Sequence, residues 1–467
     1  MKDIHEIIES FCGDAIKDSA SMAEYLNEET KTEEEYFEKL DVAKLLKKYC
    51  EHDIQIFNQY KNILVKIDIS FFEYYTKKLN VLISQKKYEM ALFYVNKALW
   101  YYDLPQNFIS FDSTFDFYVY CMFHPEFKEH FLSSGESIIY LNYSTVCLGL
   151  EDVDKAIECI KHSIYCSPMN FLYYDRAMYI FAKYGYVEEL KNCLKSAYLV
   201  AKNDAEFGVL QYYYAKYFFL TKKYVLAKVC INMAMQKNFN LNYKKDMMDM
   251  ILEIDKSNIV TLDFVGDYSN ILKKNEVPQT RNQDLFLASL ILYGKCLKKE
   301  IKDKSLQNEA EKISRSYTNA NFMQMYKSSL LSGNEFYLIN KTKIYFNIDK
   351  KWQVMIDNND KVNLFTATFD NNSIRVNYFS KNVFKFVIDK TKKYDDVIEQ
   401  KEFSTIQGKN IFYFIQKLDD NAYIFTAEFD ISDKYLGTMN ATFNMDVNTA
   451  KKEFMEIISS CKELTIK

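Results

Sequence analysis

The chain has 467 residues, of which 48% are hydrophobic and 27% charged, so it is long enough for two or three globular domains and too apolar to be disordered. Its formal net charge of -4 excludes the strongly basic surface that nucleic-acid binding requires, and we expect no nucleic-acid partner. With only 10 glycines and 4 prolines, it favours long helices and excludes glycine-rich phosphate loops as a major device.

The N-terminal residues MKDIHEIIESFCGD are acidic and lack a continuous apolar core, so we expect no secretory signal. The longest apolar run, LFLASLILYG at 285–294, is about half as long as a bilayer requires. The 10 cysteines lie largely within apolar helical patterns, which predicts buried, reduced thiols. We therefore expect a soluble, cytoplasmic protein without membrane insertion.

Residues 1–71 are predicted to form a helical N-terminal cap. Thr32 and Glu35 have the spacing of a capping box, which predicts a helix at 33–50.

The stretch GLEDVDKAIECIKHSIYCSPMN at 149–170 predicts an amphipathic helix. Val153, Ala156 and Ile160 share one helical face, and Pro168 prevents the helix from continuing. An apolar face at 137–148 precedes it across a short loop. The two segments together predict an antiparallel helical hairpin.

Further copies of the second helix of this hairpin occur as KKYEMALFYVNKAL at 86–99, YGYVEELKNCLKSAYLV at 184–200 and KKYVLAKVCINMAM at 222–235. Each copy places two close-packing residues seven positions apart, and all are small except Leu190. These pairs are Ala91 and Ala98, Ala156 and Ser163, Leu190 and Ala197, and Ala227 and Ala234. Small residues two turns apart allow a neighbouring helix to approach closely.

Leu190 lies 34 positions after Ala156, and Ala227 lies 37 positions after Leu190. The period, the small residues and Pro168 at a repeat end resemble the tetratricopeptide repeat, whose period is about 34 residues. The resemblance assigns 72–245 to repeats and 246–333 to a helical extension and C-terminal cap, with helices at 284–299 and 305–330. The sequence departs from the family at Leu190, where alanine is expected. It also departs where the family prefers glycine, at Ser144, Met178 and Ala215.

The segment FDFYVYCMFHPEFKEHF fits the repeat badly because Pro125 interrupts its second helix, so we interpret 106–136 as a degenerate or rebuilt repeat. This segment holds the sole cluster of candidate metal ligands, consisting of Cys121, His124, Glu126, Glu129 and His130. We interpret it as polar helix surface and expect no metal or other cofactor.

The repeat resemblance implies a curved stack whose first helices line a concave groove for a peptide or protein. By alignment with the family, the side chains that face this groove are Leu141, Thr145, Leu172, Asp175, Tyr179, Lys183, Tyr212, Lys216 and Phe219. About half of them are expected to pack against neighbouring helices instead.

From about residue 334 the hydrophobic period changes from helical to alternating, which predicts strands in segments such as KIYFNI, VNLFTATF and AYIFTAEFDI. LDDNAY at 418–423 is a predicted hairpin turn. Helices are predicted at 383–400 and at 447–464, the latter with Asp446 or Asn448 as its N-cap. Residues 334–467 are therefore expected to form an α+β domain with an antiparallel sheet.

The order of FNIDKKW, STIQGKNIFYF, YIFTAEFDISDKY and a closing helix that ends in Ser459 and Ser460 resembles the PsbP-like fold, which includes the DcrB-like proteins. Trp352 and Gly408 belong to the same resemblance. The resemblance implies a domain of a mostly non-catalytic kind. It also implies a possible binding role, as some DcrB-like members are chaperones that cover apolar segments of secreted effectors. Fold alone does not determine function.

Three functions follow from these patterns. The first is a non-catalytic scaffold or adaptor that binds a peptide or protein through the repeat groove, with the α+β domain as a second binding module. The second is a secretion or effector chaperone that shields an apolar client segment. The third, an enzyme with a site in the C-terminal domain, is disfavoured because residues 334–467 contain no histidine to act as a general base. We expect the first, and the oligomeric state is not predicted.

Overall fold

The computed structural model shows a helical region followed by an α+β region with antiparallel sheets. The described residues are 9, 11–102, 109–127, 136–236, 241–256, 268–318, 320–339, 341–356, 361–383, 388–389, 396–405 and 408–465. The chain divides into two compact units, Met1–Leu285 and Phe286–Lys467.

The first unit is helical throughout its described residues. Its helices are α1 (Ala15–Leu26), α2 (Glu33–His52), α3 (Ile54–Ser84), α4 (Tyr88–Tyr102), α5 (Thr114–Phe123), α6 (Glu136–Gly149), α7 (Val153–Cys166), α8 (Phe171–Tyr184), α9 (Val187–Val200), α10 (Asp204–Leu220), α11 (Tyr224–Met235), α12 (Leu241–Lys256) and α13 (Ser269–Lys274). Because α3 is continuous, the expected limit between cap and repeats at 71/72 falls inside one helix.

Local sequence signals set the helix ends as predicted. The capping box at α2 is confirmed: Thr32 Oγ1 accepts from the Glu35 N–H at 3.2 Å, and Glu35 Oε2 accepts from the Thr32 N–H at 3.2 Å. The predicted hairpin is also confirmed as α6 and α7. Asp152 caps α7 by accepting from the Lys155 N–H at 3.0 Å, and α7 ends before Pro168.

The paired positions of the repeat copies lie in the helix contacts. The eight side chains of the four pairs are all fully buried, and this includes the larger Leu190. At Ser163 the hydroxyl of α7 donates to the backbone oxygen of Ser137 in α6 at 3.0 Å, which requires the two helices to be close together. The first unit is therefore consistent with a stack of helical hairpins.

Helices α4 and α6 are neighbours in the stack, although a further segment lies between them along the chain. Helix α4 packs directly on α6, and residues 109–127 contain a single helix, α5. The interpretation of 106–136 as a degenerate or rebuilt repeat stays a prediction, because 106–108 and 128–135 lie outside the described residues. This segment is anchored elsewhere, because the Ser110 N–H donates to the Cys166 oxygen at the end of α7 at 2.6 Å.

Gly149, the last residue of α6, allows the close contact between α4 and α6. A Cβ atom at Gly149 would lie well inside van der Waals contact of the Tyr88 ring. We expect Gly149→Ala to lower the free energy of unfolding by about 1–3 kcal/mol, because the ring must be displaced. Urea denaturation of Gly149→Ala, Tyr88→Ala and the double variant measures the coupling. Additive losses in the double variant would show that the two residues do not meet.

The second unit begins with helices and continues with strands. Its elements are α14 (Gln283–Leu297), α15 (Lys304–Tyr317), α16 (Ala320–Leu331), β1 (Asn334–Ile339), β2 (Ile344–Asp349), β3 (Gln353–Met355), β4 (Asn363–Phe369), β5 (Asn372–Ser380), β6 (Val397–Ser404), β7 (Asn410–Asp419), β8 (Ala422–Asp430), β9 (Tyr435–Asn444), α17 (Val447–Ser460) and β10 (Lys462–Glu463). The boundary between the two units lies inside α14.

Two helix predictions are wrong in this unit. The single helix predicted at 305–330 is interrupted at Thr318, whose backbone is extended, so α15 and α16 are separate. The helix predicted at 383–400 ends in a strand instead, since Val397 begins β6. Charged side chains at alternate positions suit an exposed sheet edge, and tertiary pairing with β7 decides the structure there. Most of residues 384–395 lie outside the described residues.

The strands form two antiparallel sheets. One sheet has the order β1-β2-β10 and the other the order β3-β4-β5-β9-β8-β7-β6. The predicted turn at 418–423 is confirmed, because Asp419 pairs with Ala422 across a two-residue hairpin. Helix α17 covers one face of the larger sheet, where Phe454 lies 4.9 Å from the Phe425 ring and 5.8 Å from the Tyr413 ring. Asp446, and not Asn448, is its N-cap.

A buried lysine holds the end of α17. Lys409 Nζ donates to the backbone oxygens of Ile458 at 2.7 Å and Cys461 at 2.5 Å. Burial lowers the pKa of this ammonium from 10.5 to about 8, against smaller opposing effects of Cys461 and Asp430. The folded chain therefore binds fewer protons than the unfolded chain between these two pH values.

The free energy of unfolding should consequently rise with pH in this window. We expect a gain of about 1.5 kcal/mol between pH 8 and about 9.5 in the parent chain relative to Lys409→Met. Urea denaturation at both pH values checks this, with the exposed Lys452→Met as control. Equal pH slopes in the parent chain and Lys409→Met would contradict it.

Candidate functional site

Helix α8 carries an exposed amphiphilic stripe, which contains three of the predicted groove residues. Leu172 is 54% exposed, Tyr179 is 40% exposed and Lys183 is also exposed. Spacings of three and four residues place them on one helical face together with Arg176. We call Leu172, Arg176, Tyr179 and Lys183 the α8 stripe.

Arg176 is the centre of the stripe and was not among the predicted residues. Its Nη2 donates to Thr145 Oγ1 of α6 at 3.3 Å, and its Cζ lies 5.2 Å from the centroid of the Tyr179 ring. Burial lowers the pKa of the guanidinium, and its Nε donates to no acceptor in the described structure. The Nε atom is enclosed, so a ligand at the surface does not reach it.

Lys183 extends the positive charge along the stripe. Its Nζ lies 5.7 Å from the centroid of Tyr179 and 5.1 Å from that of Tyr184. The Tyr179 ring is therefore close to two cationic groups, those of Arg176 and Lys183. This arrangement combines apolar area with donors, which suits an amphiphilic segment that bears a negative group.

The residues on α6 and α10 lie in more enclosed positions. Leu141 and Thr145 are half-buried, and Thr145 Oγ1, besides accepting from Arg176, donates to the Leu141 oxygen at 3.1 Å. Phe219 is half-buried against Tyr224, with ring centroids 5.8 Å apart. Thr145 borders the α8 stripe, whereas Phe219 packs α10 on α11.

Asp175, Tyr212 and Lys216 are held by side chains of α12. The Tyr212 hydroxyl donates to Asp246 Oδ2 at 2.6 Å, and Lys216 Nζ lies 2.5 Å from the same oxygen. The Tyr243 hydroxyl donates to the Asp175 carboxylate at 3.1 Å. Tyr212 is only 6% exposed, so a ligand could reach it only after α12 moved.

Electrostatics agree with an internal role for this network. Burial raises the pKa of the Asp175 carboxyl in spite of hydrogen bonds from Tyr243 and Tyr213. Burial also raises the pKa of the Tyr212 hydroxyl, and the hydrogen bond to Asp246 acts in the same direction. Of the predicted groove residues, Leu172, Tyr179 and Lys183 on α8 are exposed. Asp175, Tyr212 and Lys216 are instead enclosed by α12.

The candidate metal ligands do not assemble into a site in the part of the chain that the structure describes. His124 Nδ1 lies 3.2 Å from Glu126 Oε1, but both side chains are exposed. Burial raises the pKa of the half-buried Cys121 thiol, which disfavours the thiolate that a metal requires. Glu129 and His130 lie outside the described residues, and no cluster of three or more candidate ligands occurs within them.

No family model matches the chain, and no curated protein matches it either. Among solved structures, the chain is similar to the solution structure of cyanobacterial PsbP, CyanoP, from Synechocystis sp. PCC 6803. The two sequences are 10% identical, and the match covers 28% of this chain and 92% of that one with a TM-score of 0.21. The similarity is weak and partial.

None of the described helices is both long enough and apolar enough to cross a bilayer.

Proposed function

We propose that the chain is a non-catalytic interaction scaffold of the tetratricopeptide type, which binds a peptide or protein segment along the α8 stripe. The observation that carries the proposal is the exposure of Leu172 and Tyr179 at helical spacing around the guanidinium of Arg176. Aromatic and arginine side chains of this kind dominate the binding energy of many interfaces.

The chemistry of the stripe defines the partner segment. Leu172 and Tyr179 favour apolar side chains, since burial of exposed apolar area contributes roughly 25 cal/mol per Å². Arg176 and Lys183 favour a carboxylate or another anion next to these side chains. The partner therefore presents apolar residues beside an acidic group.

The outer face of the larger C-terminal sheet is polar around β5, and its apolar side chains Phe412 and Phe414 on β7 are already buried against Ile388, which argues against the chaperone alternative. Arg375 of β5 is exposed and lies between Thr366 of β4 and Asn440 of β9. An apolar client segment would have to desolvate these polar groups without gaining matching partners. The opposite face is filled by the side chains of α17, including Phe454 and Ile458. The scaffold function is thus better supported than a client-holding sheet.

Affinity capture from native cells tests the proposal with matched variants. The double variant Leu172→Ala and Tyr179→Ala removes the apolar part of the stripe. Tyr165→Ala is the control, because Tyr165 is 45% exposed on the second helix α7. Some partners will be retained by both the parent chain and Tyr165→Ala. We expect their recovery with the double variant to fall by about tenfold or more. Undiminished recovery of the same partners by the double variant would refute the assignment.

A further inference from the structure

A cavity of about 360 Å³ lies in the second unit, where α17 packs against β2. Its polar wall contains Asn347 and Asp349 of β2, Lys351 of the following turn, and Glu453 and Glu456 of α17, and Trp352 belongs to its apolar wall. We call it the β2–α17 cavity. Its volume is at the lower end of the range for small-molecule sites, roughly 300–1,000 Å³.

The walls of the cavity are fixed by hydrogen bonds. Ser460 Oγ at the end of α17 accepts from the Asn347 N–H at 3.2 Å, which joins the helix to β2. The backbone N–H of Trp352 donates to the backbone oxygen of Asp349 at 3.0 Å. The indole ring of Trp352 is buried against Phe443. The cavity is therefore preformed, so a ligand need not order these elements.

Two buried acceptors at this cavity have no donor within the described structure. Lys351 Nζ forms an ion pair with Glu453 Oε1, but Glu453 Oε2 accepts no hydrogen bond. Asn347 Oδ1 is likewise buried without a donor. A buried acceptor without a donor costs about 1–3 kcal/mol, so positive charge brought close to these two atoms is favoured.

The charge of the cavity selects a cation. Three carboxylates line it, from Asp349, Glu453 and Glu456, and a single ammonium group opposes them, from Lys351. A metal ion does not fit, because in the described ranges no three acidic, histidine or cysteine side chains are close enough to coordinate one. An organic cation needs no such convergence, since each of its N–H groups can reach a different acceptor.

We propose that the β2–α17 cavity binds a primary ammonium group on an aliphatic chain, supplied by a free diamine or by a lysine side chain of a protein. The ammonium pairs with the exposed carboxylates of Asp349 and Glu456, while Glu453 provides further negative charge. The methylene groups lie against Trp352, in the manner of long amines that place an apolar stem on an aromatic surface. This site is independent of the α8 stripe.

Trp352 fluorescence tests the proposal in the full chain. The chain contains two tryptophans, so Trp100→Phe makes Trp352 the only emitter. Titrations use diaminobutane, an acetylated lysine methylamide and the neutral butanediol, with sodium chloride at equal ionic strength. We expect a saturable response to at least one amine, with a dissociation constant of about 1 mM or below, and no response to butanediol.

Variants at the acidic wall provide the specificity control. Glu453→Gln and Asp349→Asn should each weaken amine binding about tenfold or more, whereas Glu463→Gln, outside the cavity, should leave it unchanged. Because Asp349 is exposed, Asp349→Asn tests the site even where Glu453→Gln fails to fold by circular dichroism. A response to the acetylated lysine alone assigns the ammonium to a protein partner. The proposal is overturned by the lack of a saturable response to both amines, by an equal response to butanediol, or by unchanged binding in Asp349→Asn.

Discussion

Phe454→Ala should lower the free energy of unfolding of the second unit by about 3–5 kcal/mol. Phe454 is fully buried on α17, and it contacts Phe425 and Tyr413 on the sheet. Truncation removes these two aromatic contacts between the helix and the larger sheet and leaves a cavity in a close-packed core. Trp352 fluorescence in the Trp100→Phe chain measures the loss during urea denaturation, because Trp352 belongs to the same core.

The control for this variant is Met355→Ala, since Met355 is 66% exposed on β3. Its truncation should change the free energy of unfolding by less than about 0.5 kcal/mol. If Phe454→Ala cost no more than Met355→Ala, α17 would not be docked on the sheet as described.

Asp116→Asn should lower the free energy of unfolding of the first unit by about 3 kcal/mol or more. The Asp116 side chain on α5 is 3% exposed, and its Oδ1 lies 2.5 Å from Lys202 Nζ. Lys202 follows α9 and is 21% exposed, so loss of the carboxylate leaves less negative charge to compensate this enclosed ammonium. This pair connects the segment around α5 to the hairpin stack.

A solvated ion pair serves as control for Asp116→Asn. Lys155 and Glu158 lie 2.8 Å apart on the surface of α7, and Glu158→Gln should cost less than about 1 kcal/mol. Replacement of both Asp116 and Lys202 by leucine should recover part of the loss, because neither charge of this pair then has to be desolvated. Equal effects of Asp116→Asn and Glu158→Gln in urea denaturation would show that the Asp116 pair is solvated.

The hairpins of the first unit could be predicted from the sequence because their determinants are local and steric. Ala156 and Ser163 are small at the spacing that a neighbouring helix needs, and Pro168 ends the helix in any context. Helix α4 contacts α6 directly, because Gly149 of α6 leaves room for the Tyr88 ring of α4. That contact joins residues far apart in sequence, and no local pattern reveals it.

The candidate site could be predicted only in part, for the same reason. Exposure of Leu172 and Tyr179 follows from their position on the first helix of a hairpin. Burial of Tyr212 follows instead from Asp246 on α12, and this helix lies outside the aligned repeat copies. Arg176 lies four residues after Leu172, which was a usable signal for a place on the same face.

The strand β6 illustrates how tertiary pairing overrides a local pattern. Its sequence, VIEQKEFS, is equally compatible with a polar helix and with an alternating edge strand. Pairing with β7 decides between them, and the hydroxyl of Tyr413 on β7 donates to Glu399 at 2.5 Å. That partner cannot be identified from the segment alone.

Photo-crosslinking at position 179 tests the central claim, that the α8 stripe contacts a partner. Tyr179 is replaced by p-benzoylphenylalanine in the full chain, and Tyr165 on α7 is replaced in the same way as control. The account predicts that irradiation of native cells joins position 179, but not position 165, to a discrete protein whose crosslinked segment contains acidic and apolar residues. Equal labelling from both positions, or labelling from 165 alone, would contradict it.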